Sequence, residues 1–329
     1  MVFGIGNPLI DVVFQAADSD LAELELDKGI MHLVTLERRQ EILNHFSGIA
    51  PAFRPGGSAP NTMLACGGMG IPAVISGKIG DDEFGHTYEQ QVTDYGIQSR
   101  LVRGTGATGS SVILVTPDGE RTMNTYLGMC QEYNHSDVDD ELLRRSSFLY
   151  FTGYMWDTDV QKGAIQHAMD VAHKAGVRVV FDVADPFAVR RYRDDFLSLL
   201  ERDVDIVFAN RTEARILFDR EEIGSSGETE TLVRLLGERV SIAALKTGKD
   251  GSTIISDGEV VAVPGRPITP LDTTGAGDMY AAGFLVALET GRTPREAAQL
   301  AGRMAEEIIV ETGAQFSVKR IRELRETLL

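Results

Sequence analysis

Apolar and polar positions follow two different spacings along this chain. Short runs rich in Val, Ile and Phe are typical of buried strands, whereas apolar residues at every third or fourth position are typical of helices. Between residues 148 and 246 the predicted elements are, in order, strand 148–152, helix 160–175, strand 177–183, helix 187–200, strand 205–208, helix 212–218, helix 230–236 and strand 242–246. This alternation predicts an α/β fold with a mostly parallel sheet and helices on both of its faces.

The rest of the chain adds a second pattern. Before residue 148 it predicts strand 2–6, an extended segment from residue 11, helix 36–46, a helix from residue 58, strand 73–79, helix 84–95 and a hairpin of strands 110–116 and 121–126. The ribbon-like stretches, roughly 10–56 and 99–130, predict a small extra sheet inserted into one domain that spans residues 1–329. After residue 246 we expect a hairpin within 253–263 and two helices, 275–289 and 294–310. The polar stretch 220–230 is predicted to be a surface loop.

Composition and charge narrow the classes of partner. The 329 residues are 43% hydrophobic and 25% charged, with a formal net charge of −17, which excludes fibrous and disordered classes. The negative charge argues against binding to nucleic acid or to a membrane surface. Only two cysteines occur, and the N-terminus lacks the basic start of a signal peptide, so we expect a cytoplasmic protein. If such a chain binds an anion, it must use local devices such as backbone amides.

One such device is visible in the letters LDTTGAGD at residues 271–278. The first amides of a helix have no partner within the helix, so the N–H groups of Ala276 and Gly277 can hold phosphate oxygens. Gly275 has no side chain, which lets an anion approach the backbone closely. Asp278, one turn into the helix, can accept the proton of an attacking hydroxyl. The same letters also fit an ordinary capped helix start. Neither the Walker motif nor the dinucleotide fingerprint has its full spacing here.

Three motifs together resemble a known family. DTTGAGD at 272–278, GGSAPN at 56–61 and NRTE at 210–213 occur in the order typical of the ribokinase-like (PfkB) family of sugar and nucleoside kinases. Segments 6–11, 205–214 and 301–313 look more like adenosine kinases than ribokinases. The resemblance implies a ribokinase-like, doubly wound sheet with a small β-sheet lid.

The resemblance also implies a reaction. It is the ATP-dependent phosphorylation of a primary hydroxyl, first of all the 5′-hydroxyl of adenosine or a related nucleoside. A free sugar such as ribose or fructose is the alternative acceptor. A more distant alternative is a nucleoside or sugar sensor that has kept the fold and lost the reaction.

The family's acceptor residues map onto particular positions of this sequence. Asp11 and Asn61 are suited to the ribose hydroxyls, and Gly57 leaves room for the sugar ring. Arg121 on the hairpin is expected to face the transferred phosphate. The expected acceptor contacts are Asn7, Leu9, Asp11, Leu33, Gly57, Ser58, Asn61, Met123 and Phe187, of which Leu9, Leu33, Met123 and Phe187 would form the walls of a base pocket.

ATP and metal ions are expected on the other side of Asp278. By resemblance the nucleotide lies along Thr247, Gly248 and Gly251, near Asn210 and the glycines 275 and 277. Asn210 and Glu213 would hold Mg²⁺ through water, since this ion keeps several of its waters. A K⁺ site formed by Asp272, Thr274, Gly313 and Ser317 is a further expectation. The predicted helix 36–46 would cover the lid, which favours a monomer over a dimer that pairs through its lids.

Overall fold

The computed structural model describes residues 1–220 and 227–329. Its strands are β1 (Val2–Ile5), β2 (Leu9–Gln15), β3 (Met31–Leu33), β4 (Ala52–Gly56), β5 (Ala73–Gly80), β6 (Gln98–Gly104), β7 (Ser110–Val115), β8 (Arg121–Tyr126), β9 (Phe148–Thr152), β10 (Arg178–Asp182), β11 (Ile206–Asn210), β12 (Ile242–Lys246), β13 (Ser252–Ser256) and β14 (Glu259–Val263). Its α-helices are α1 (Asp18–Glu23), α2 (Leu36–His45), α3 (Ser58–Gly68), α4 (Glu83–Thr93), α5 (Asp140–Arg144), α6 (Asp159–Ala175), α7 (Pro186–Arg202), α8 (Arg211–Leu217), α9 (Glu228–Gly237), α10 (Ala276–Glu289), α11 (Pro294–Ile308) and α12 (Val318–Leu328).

Nine strands form the large sheet, in the order β14-β13-β12-β11-β10-β9-β1-β5-β6. The seven strands from β12 to β6 run parallel, and the hairpin of β13 and β14 adds an antiparallel edge. Every residue of β1 and β9 is buried, as expected for strands covered by helices on both faces. Two apolar clusters lie on opposite faces of the sheet, one under α3, α10 and α11 and the other under α6, α7 and α9. The predicted fold class is confirmed.

Helix ends follow local sequence signals. Thr158 caps α6 by accepting a hydrogen bond from the Gln161 amide, and Gly176 ends the helix with φ at +72°. Helix α10 is apolar around most of its circumference because it lies between α3 and α11 and is buried from Met279 to Ala287. The start of α10, where its sequence is glycine-rich, is therefore held firmly at the carboxyl edge of the sheet.

Five strands form the small sheet, in the order β3-β8-β7-β2-β4. Helix α2 covers its outer face, where the rings of Phe14 and Phe46 stack with centroids 4.9 Å apart. One boundary of the predicted insertion is wrong, because residues 99–104 belong to β6, which pairs with β5 in the large sheet. The apolar and polar alternation of that strand resembles a ribbon because β6 is an edge strand with one half-exposed face.

Several short or polar elements were not predicted, namely α1, β3, β4, β6, α5 and α12. Of the predicted loop at 220–230, residues 221–226 lie outside the described residues, and α9 already begins at Glu228. Cys66 and Cys130 are both buried and unpaired. Among the described helices, none is both long and apolar enough to cross a membrane.

Candidate active site

The start of α10 provides free backbone amides. Gly275 adopts a φ of +78°, and a Cβ atom on it would lie 2.6 Å from backbone atoms of Ala314, so this position requires glycine. The Ala276 amide donates to the Thr273 carbonyl at 3.3 Å. Within the described residues the amides of Gly277 and Asp278 have no protein acceptor. Of the two amides expected to form an anion hole, that of Ala276 is engaged by a turn and that of Gly277 is free, and anion binding here stays a prediction.

The Asp278 carboxylate is oriented by the first turn of α3. Ser58 Oγ donates to Oδ1 at 2.6 Å, and Asn61 Nδ2 donates to Oδ2 at 2.9 Å. Loss of hydration raises the pKa of Asp278 to about 7, although the two hydrogen bonds act in the opposite direction. A carboxyl with such a pKa near neutral pH is suited to accept and release a proton.

Asn61 and Ser58 therefore act on Asp278 in this structure, whereas we had expected both to contact the acceptor. The Asn61 amide is engaged at both ends, since its Oδ1 accepts a hydrogen bond of 2.9 Å from Gln315 Nε2. Gln315 lies near the C-terminus, between Gly313 and Ser317, and was not itself predicted as a site residue. A contact of Asn61 or Ser58 with the acceptor stays a prediction.

Asn7 bonds to helix α6. Its Oδ1 accepts a hydrogen bond of 2.8 Å from Gln161 Nε2, and the residue is buried, so its side chain links the segment after β1 to α6. A contact of Asn7 with the acceptor stays a prediction. Gly57 lies beside Asn7 with a φ of +96°. A Cβ atom on Gly57 would clash with the Asn7 carbonyl oxygen, at a distance of 2.0 Å. The absence of a side chain at Gly57 is needed for this backbone packing, whatever the acceptor requires.

The inner face of the small sheet carries most of the other predicted acceptor residues. Strand register places Arg54, Asp11, Ser111, Thr125 and Leu33 in one row across the five strands, and side chains of a row share a face. Leu9, Met123 and Arg121 lie on this same face, because Leu9 and Met123 are two residues and Arg121 is four residues from a member of the row on the same strand. The face points to the loop that precedes α10, since Arg121 contacts Asp272 at 3.5 Å.

A cavity of about 320 Å³ separates this face from the C-terminal segment 312–315. Asp11, Arg54, Arg121, Gly313 and Gln315 are among the residues that line it. Burial raises the pKa of Asp11 to about 7, and the two arginines partly oppose that shift. Nε of Arg121 and Oε1 of Gln315 are buried and lack partners within the described residues, so each is a polar atom that the fold leaves without a hydrogen bond.

Phe187 lies apart from the acceptor residues predicted on the small sheet. It lies in the first turn of α7, on the large-sheet side, and 62% of its surface is exposed. Leu33, at the far edge of the small sheet, is 57% exposed. A role for either residue as the wall of a base pocket stays a prediction.

The sequence comparison extends over the elements just described. Residues 32–321 match the model of the pfkB family of carbohydrate kinases. The chain belongs to the PfkB family of carbohydrate kinases. It is a kinase. The family motif DTTGAGD spans the start of α10 and ends at Asp278, the carboxylate that Ser58 and Asn61 orient.

Solved structures and curated relatives of this PfkB kinase differ in acceptor. Adenosine kinase from Sinorhizobium meliloti is 35% identical, with a TM-score of 0.87 over 100% of this chain and 99% of that chain. A probable sugar kinase from Rhizobium etli CFN 42 is 32% identical, also with a TM-score of 0.87, over 100% of this chain and 98% of that one. An ATP-dependent ribose-1-phosphate kinase from Halopiger xanaduensis is 29% identical over 70% of this chain and 72% of its own length.

The expected magnesium residues of the kinase form a capping box. Asn210 caps α8 by accepting from the Glu213 amide, and the Glu213 carboxylate accepts from the Asn210 amide and side chain. Burial raises the pKa of Glu213 to about 7. In residues 1–220 and 227–329 no group of three or more acidic, His or Cys side chains could hold a metal ion directly. Mg²⁺ binding through water therefore stays the prediction for Asn210 and Glu213.

The expected nucleotide loop is a tight turn after β12. Gly248 and Gly251 have φ values of +64° and +92°, and a Cβ on Gly251 would lie 2.1 Å from the Val263 carbonyl oxygen. Thr247 donates its amide to the Gly251 carbonyl at 2.9 Å. The glycines are thus required by the turn itself, and their contact with ATP stays a prediction.

Three of the four residues of the expected K⁺ site meet at Asp272. Its Oδ1 accepts from the amide and hydroxyl of Thr274, at 2.9 and 2.6 Å, and its Oδ2 accepts from the Gly313 amide at 2.8 Å. Ser317 instead caps α12 by accepting from the Arg320 amide. A K⁺ ion here stays a prediction.

Two residues of the site were missed by the sequence analysis. Gln315 contacts Asn61, and Lys246, at the end of β12, forms an ion pair with Asp182 at the end of β10. Both strand ends lie at the carboxyl edge of the parallel sheet, which is where ligands bind in folds of this kind. That position was the available signal for Lys246.

Proposed function

We propose that this kinase transfers the γ-phosphoryl group of ATP to the 5′-hydroxyl of adenosine or a closely related nucleoside. The observation that carries the transfer step is the Asp278 carboxyl, oriented by Ser58 and Asn61 next to two free amides at the start of a helix. This arrangement combines a base and an anion-binding site within one helical turn.

In the proposed step, the acceptor oxygen forms a bond to the γ-phosphorus as the bond to the bridging oxygen of ADP breaks. Asp278 takes the hydroxyl proton and later releases it to water. The amides of Gly277 and Asp278 hold the phosphoryl oxygens. Arg121, which lies on the small sheet at 3.5 Å from Asp272, brings positive charge to the side of the acceptor.

Magnesium fits the charges of this site. Asp182, Glu213 and Asp278 all act on the single ammonium of Lys246, so the pocket has a surplus of negative charge. Mg²⁺ supplied with ATP would neutralise phosphate charge. Asn210 and Glu213 are the residues that we propose hold it through water.

For the acceptor, the inner face of the small sheet is the proposed surface. Asp11 would accept hydrogen bonds from two neighbouring ribose hydroxyls, and Leu9, Met123 and Leu33 would lie against the base. Full-length similarity to the Sinorhizobium meliloti adenosine kinase supports a nucleoside. We include in the proposal that residues 10–56 and roughly 105–130 act as a lid, and that the protein is a cytoplasmic monomer.

A free or phosphorylated sugar is the second candidate acceptor. It is favoured by the similarity to a ribose-1-phosphate kinase and to a probable sugar kinase. Purified protein should be assayed with ATP and Mg²⁺ against adenosine, other nucleosides, ribose, fructose and ribose 1-phosphate. We expect the highest kcat/KM with adenosine. Turnover of sugars without turnover of any nucleoside would contradict the nucleoside proposal.

The same assay tests the proposal of a sensor without activity. Asp278→Asn should lower kcat by about 100-fold or more while adenosine still binds. Asp170→Asn, an exposed position on α6, is the matched control and should leave kcat unchanged. Ligand binding without turnover in the wild-type protein would instead favour the sensor.

A further inference from the structure

Lys246 places a positive charge inside the active site that the proposed step does not use. Its Nζ donates to both carboxylate oxygens of Asp182, at 3.0 and 3.1 Å. Only 16% of the Lys246 side chain and 4% of the Asp182 side chain are exposed. Burial acts to lower the pKa of Lys246, but the surrounding carboxylates outweigh it and raise that pKa, so the group stays an ammonium ion.

Gly277 shows where this charge lies relative to the helix start. A Cβ atom on Gly277 would be 3.5 Å from Lys246 Nζ. The N–H of the same residue is one of the two amides without a protein acceptor. A phosphoryl oxygen that reaches this amide therefore comes close to the ammonium group, and glycine keeps the space between them open.

The charges around Lys246 leave it available to a phosphate. Its ion pair with Asp182 is the only one that it forms within the described residues, although Glu213 and Asp278 also act on it. Mg²⁺ held through water by Asn210 and Glu213 would give these carboxylates a second cation. Lys246 would then be attracted less to Asp182 and more to phosphate oxygens beside it.

We propose that Lys246 is a catalytic residue whose ammonium binds the transferred phosphoryl group beside the amides of Gly277 and Asp278. It keeps its proton throughout, and it stabilises negative charge on the phosphoryl oxygens as the new P–O bond forms and the bond to ADP breaks. This inference rests on the proposed use of ATP, but it does not depend on whether the acceptor is a nucleoside or a sugar.

The first test replaces Lys246 by methionine, which preserves length without charge. With the accepted substrate, kcat of Lys246→Met should fall about 100-fold or more, as expected for the loss of one group that stabilises the transferred charge. Acceptor affinity, measured by calorimetry without ATP, should not change. Lys174→Met, on the exposed side of α6, is the matched control and should keep full activity.

Asp182 loses its partner in that variant, so instability could also lower activity. The double variant Lys246→Met with Asp182→Asn removes both charges. We expect its Tm to return to that of the wild-type protein while kcat stays low. If Lys246 serves only as the counter-ion of Asp182, the double variant recovers kcat to within about fivefold of wild type, and the proposal is overturned.

A binding measurement separates this proposal from the choice of acceptor. The Kd of the β,γ-imido analogue of ATP with Mg²⁺ should rise about tenfold or more in both Lys246 variants, because a charge-assisted contact is lost. If the wild-type protein turns over none of the acceptors, the proposed function fails. The Kd of the ATP analogue still tests Lys246 in that case, because an equal Kd in the wild-type protein and the Lys246 variants overturns its role. A raised Kd in that case supports the phosphate contact alone.

Discussion

Gln315 Nε2 donates a hydrogen bond of 2.9 Å to Oδ1 of Asn61, and this contact fixes which end of the Asn61 amide faces Asp278. With its Oδ1 occupied, Asn61 can only present its N–H group to the Asp278 carboxylate. A residue near the C-terminus thus orients the proposed base through one intermediate side chain. Gln315 also lines the cavity that Asp11 borders.

Gln315→Leu should lower kcat about tenfold, because Asn61 can then rotate and leave one oxygen of Asp278 without its donor. Since Gln315 acts through Asn61, we expect the acid limb of the kcat–pH profile to move to higher pH. Gln90→Leu, at an exposed position on α4, is the control. A lower kcat with an unmoved pH profile would mean that Gln315 has a purely structural role.

Activity should increase with pH through about pH 7. Burial raises the pKa values of both Asp278 and Asp11 to about 7, and each is proposed to act as the ionised form. Asp182 and Lys246 act on Asp278 in opposite directions and contribute to this value. We expect log(kcat/KM) to rise with a slope above 1 below pH 6.5 and to level off above pH 8. A flat profile between pH 5.5 and 8.5 would contradict the assignment of Asp278 as base.

Ionisation of Asp278 should also destabilise the fold. Its folded pKa is about 7 against an ordinary aspartate value of 3.8, so the folded state binds the proton more tightly than the unfolded chain does. The stability that this provides is present at acid pH and is lost as pH rises from about 4 to about 7. The Tm of Asp278→Asn should therefore rise relative to wild type between pH 5 and pH 8. If the Tm difference between variant and wild type is the same at both pH values, the pKa of Asp278 is not raised in the folded protein.

Two glycines with nearly equal φ angles allow a matched test of the helix start. Gly275 and Gly258 have φ values of +78° and +77°. A Cβ at 275 would be 2.6 Å from the Ala314 backbone, whereas nothing lies within 4 Å of a Cβ at 258. Gly258→Ala should cost about 1 kcal/mol of unfolding free energy from its left-handed backbone alone. Gly275→Ala should cost more and should also lower kcat, whereas equal losses of stability in denaturant titrations would contradict the steric argument.

The covered outer face of the small sheet predicts a monomer. Helix α2 packs there, with Phe46 against Phe14, so in the part of the chain that the structure describes this outer face is closed to a second copy. Sedimentation equilibrium should give one species near 36 kDa at micromolar concentration. A dimer that dissociates on substitution of Phe53, which is exposed on β4, would show that the lids pair at another surface.

Sequence patterns predicted long periodic elements well. The strand 242–246 and the helix that begins at Ser58 agree with the structure because apolar spacing and a start signal coincide there. The three-residue β3 and the edge strand β6 were missed, since short or half-exposed strands carry little hydrophobic signal.

Within the site, the motif around Asp278 was found from the sequence because its residues are contiguous. Gln315 and Lys246 were not, because their roles arise only when distant segments meet. Asn7, which the sequence predicts to contact the acceptor, bonds to Gln161 in the structure, a partner that the sequence does not reveal. Resemblance indicates which positions matter, but hydrogen-bond partners decide what each of them contacts.

The row of side chains across the small sheet has a consequence for how such an enzyme can change over evolutionary time. The proposed acceptor contacts lie on strands of one sheet, whereas the base and its donors Ser58 and Asn61 lie on two helices that pack on the other. Substitutions at Leu9, Leu33 or Met123 can therefore alter the preferred acceptor without moving Asp278. In the proposed function, selectivity and reactivity are therefore encoded on separate surfaces of the same chain, and one can drift while the other is maintained.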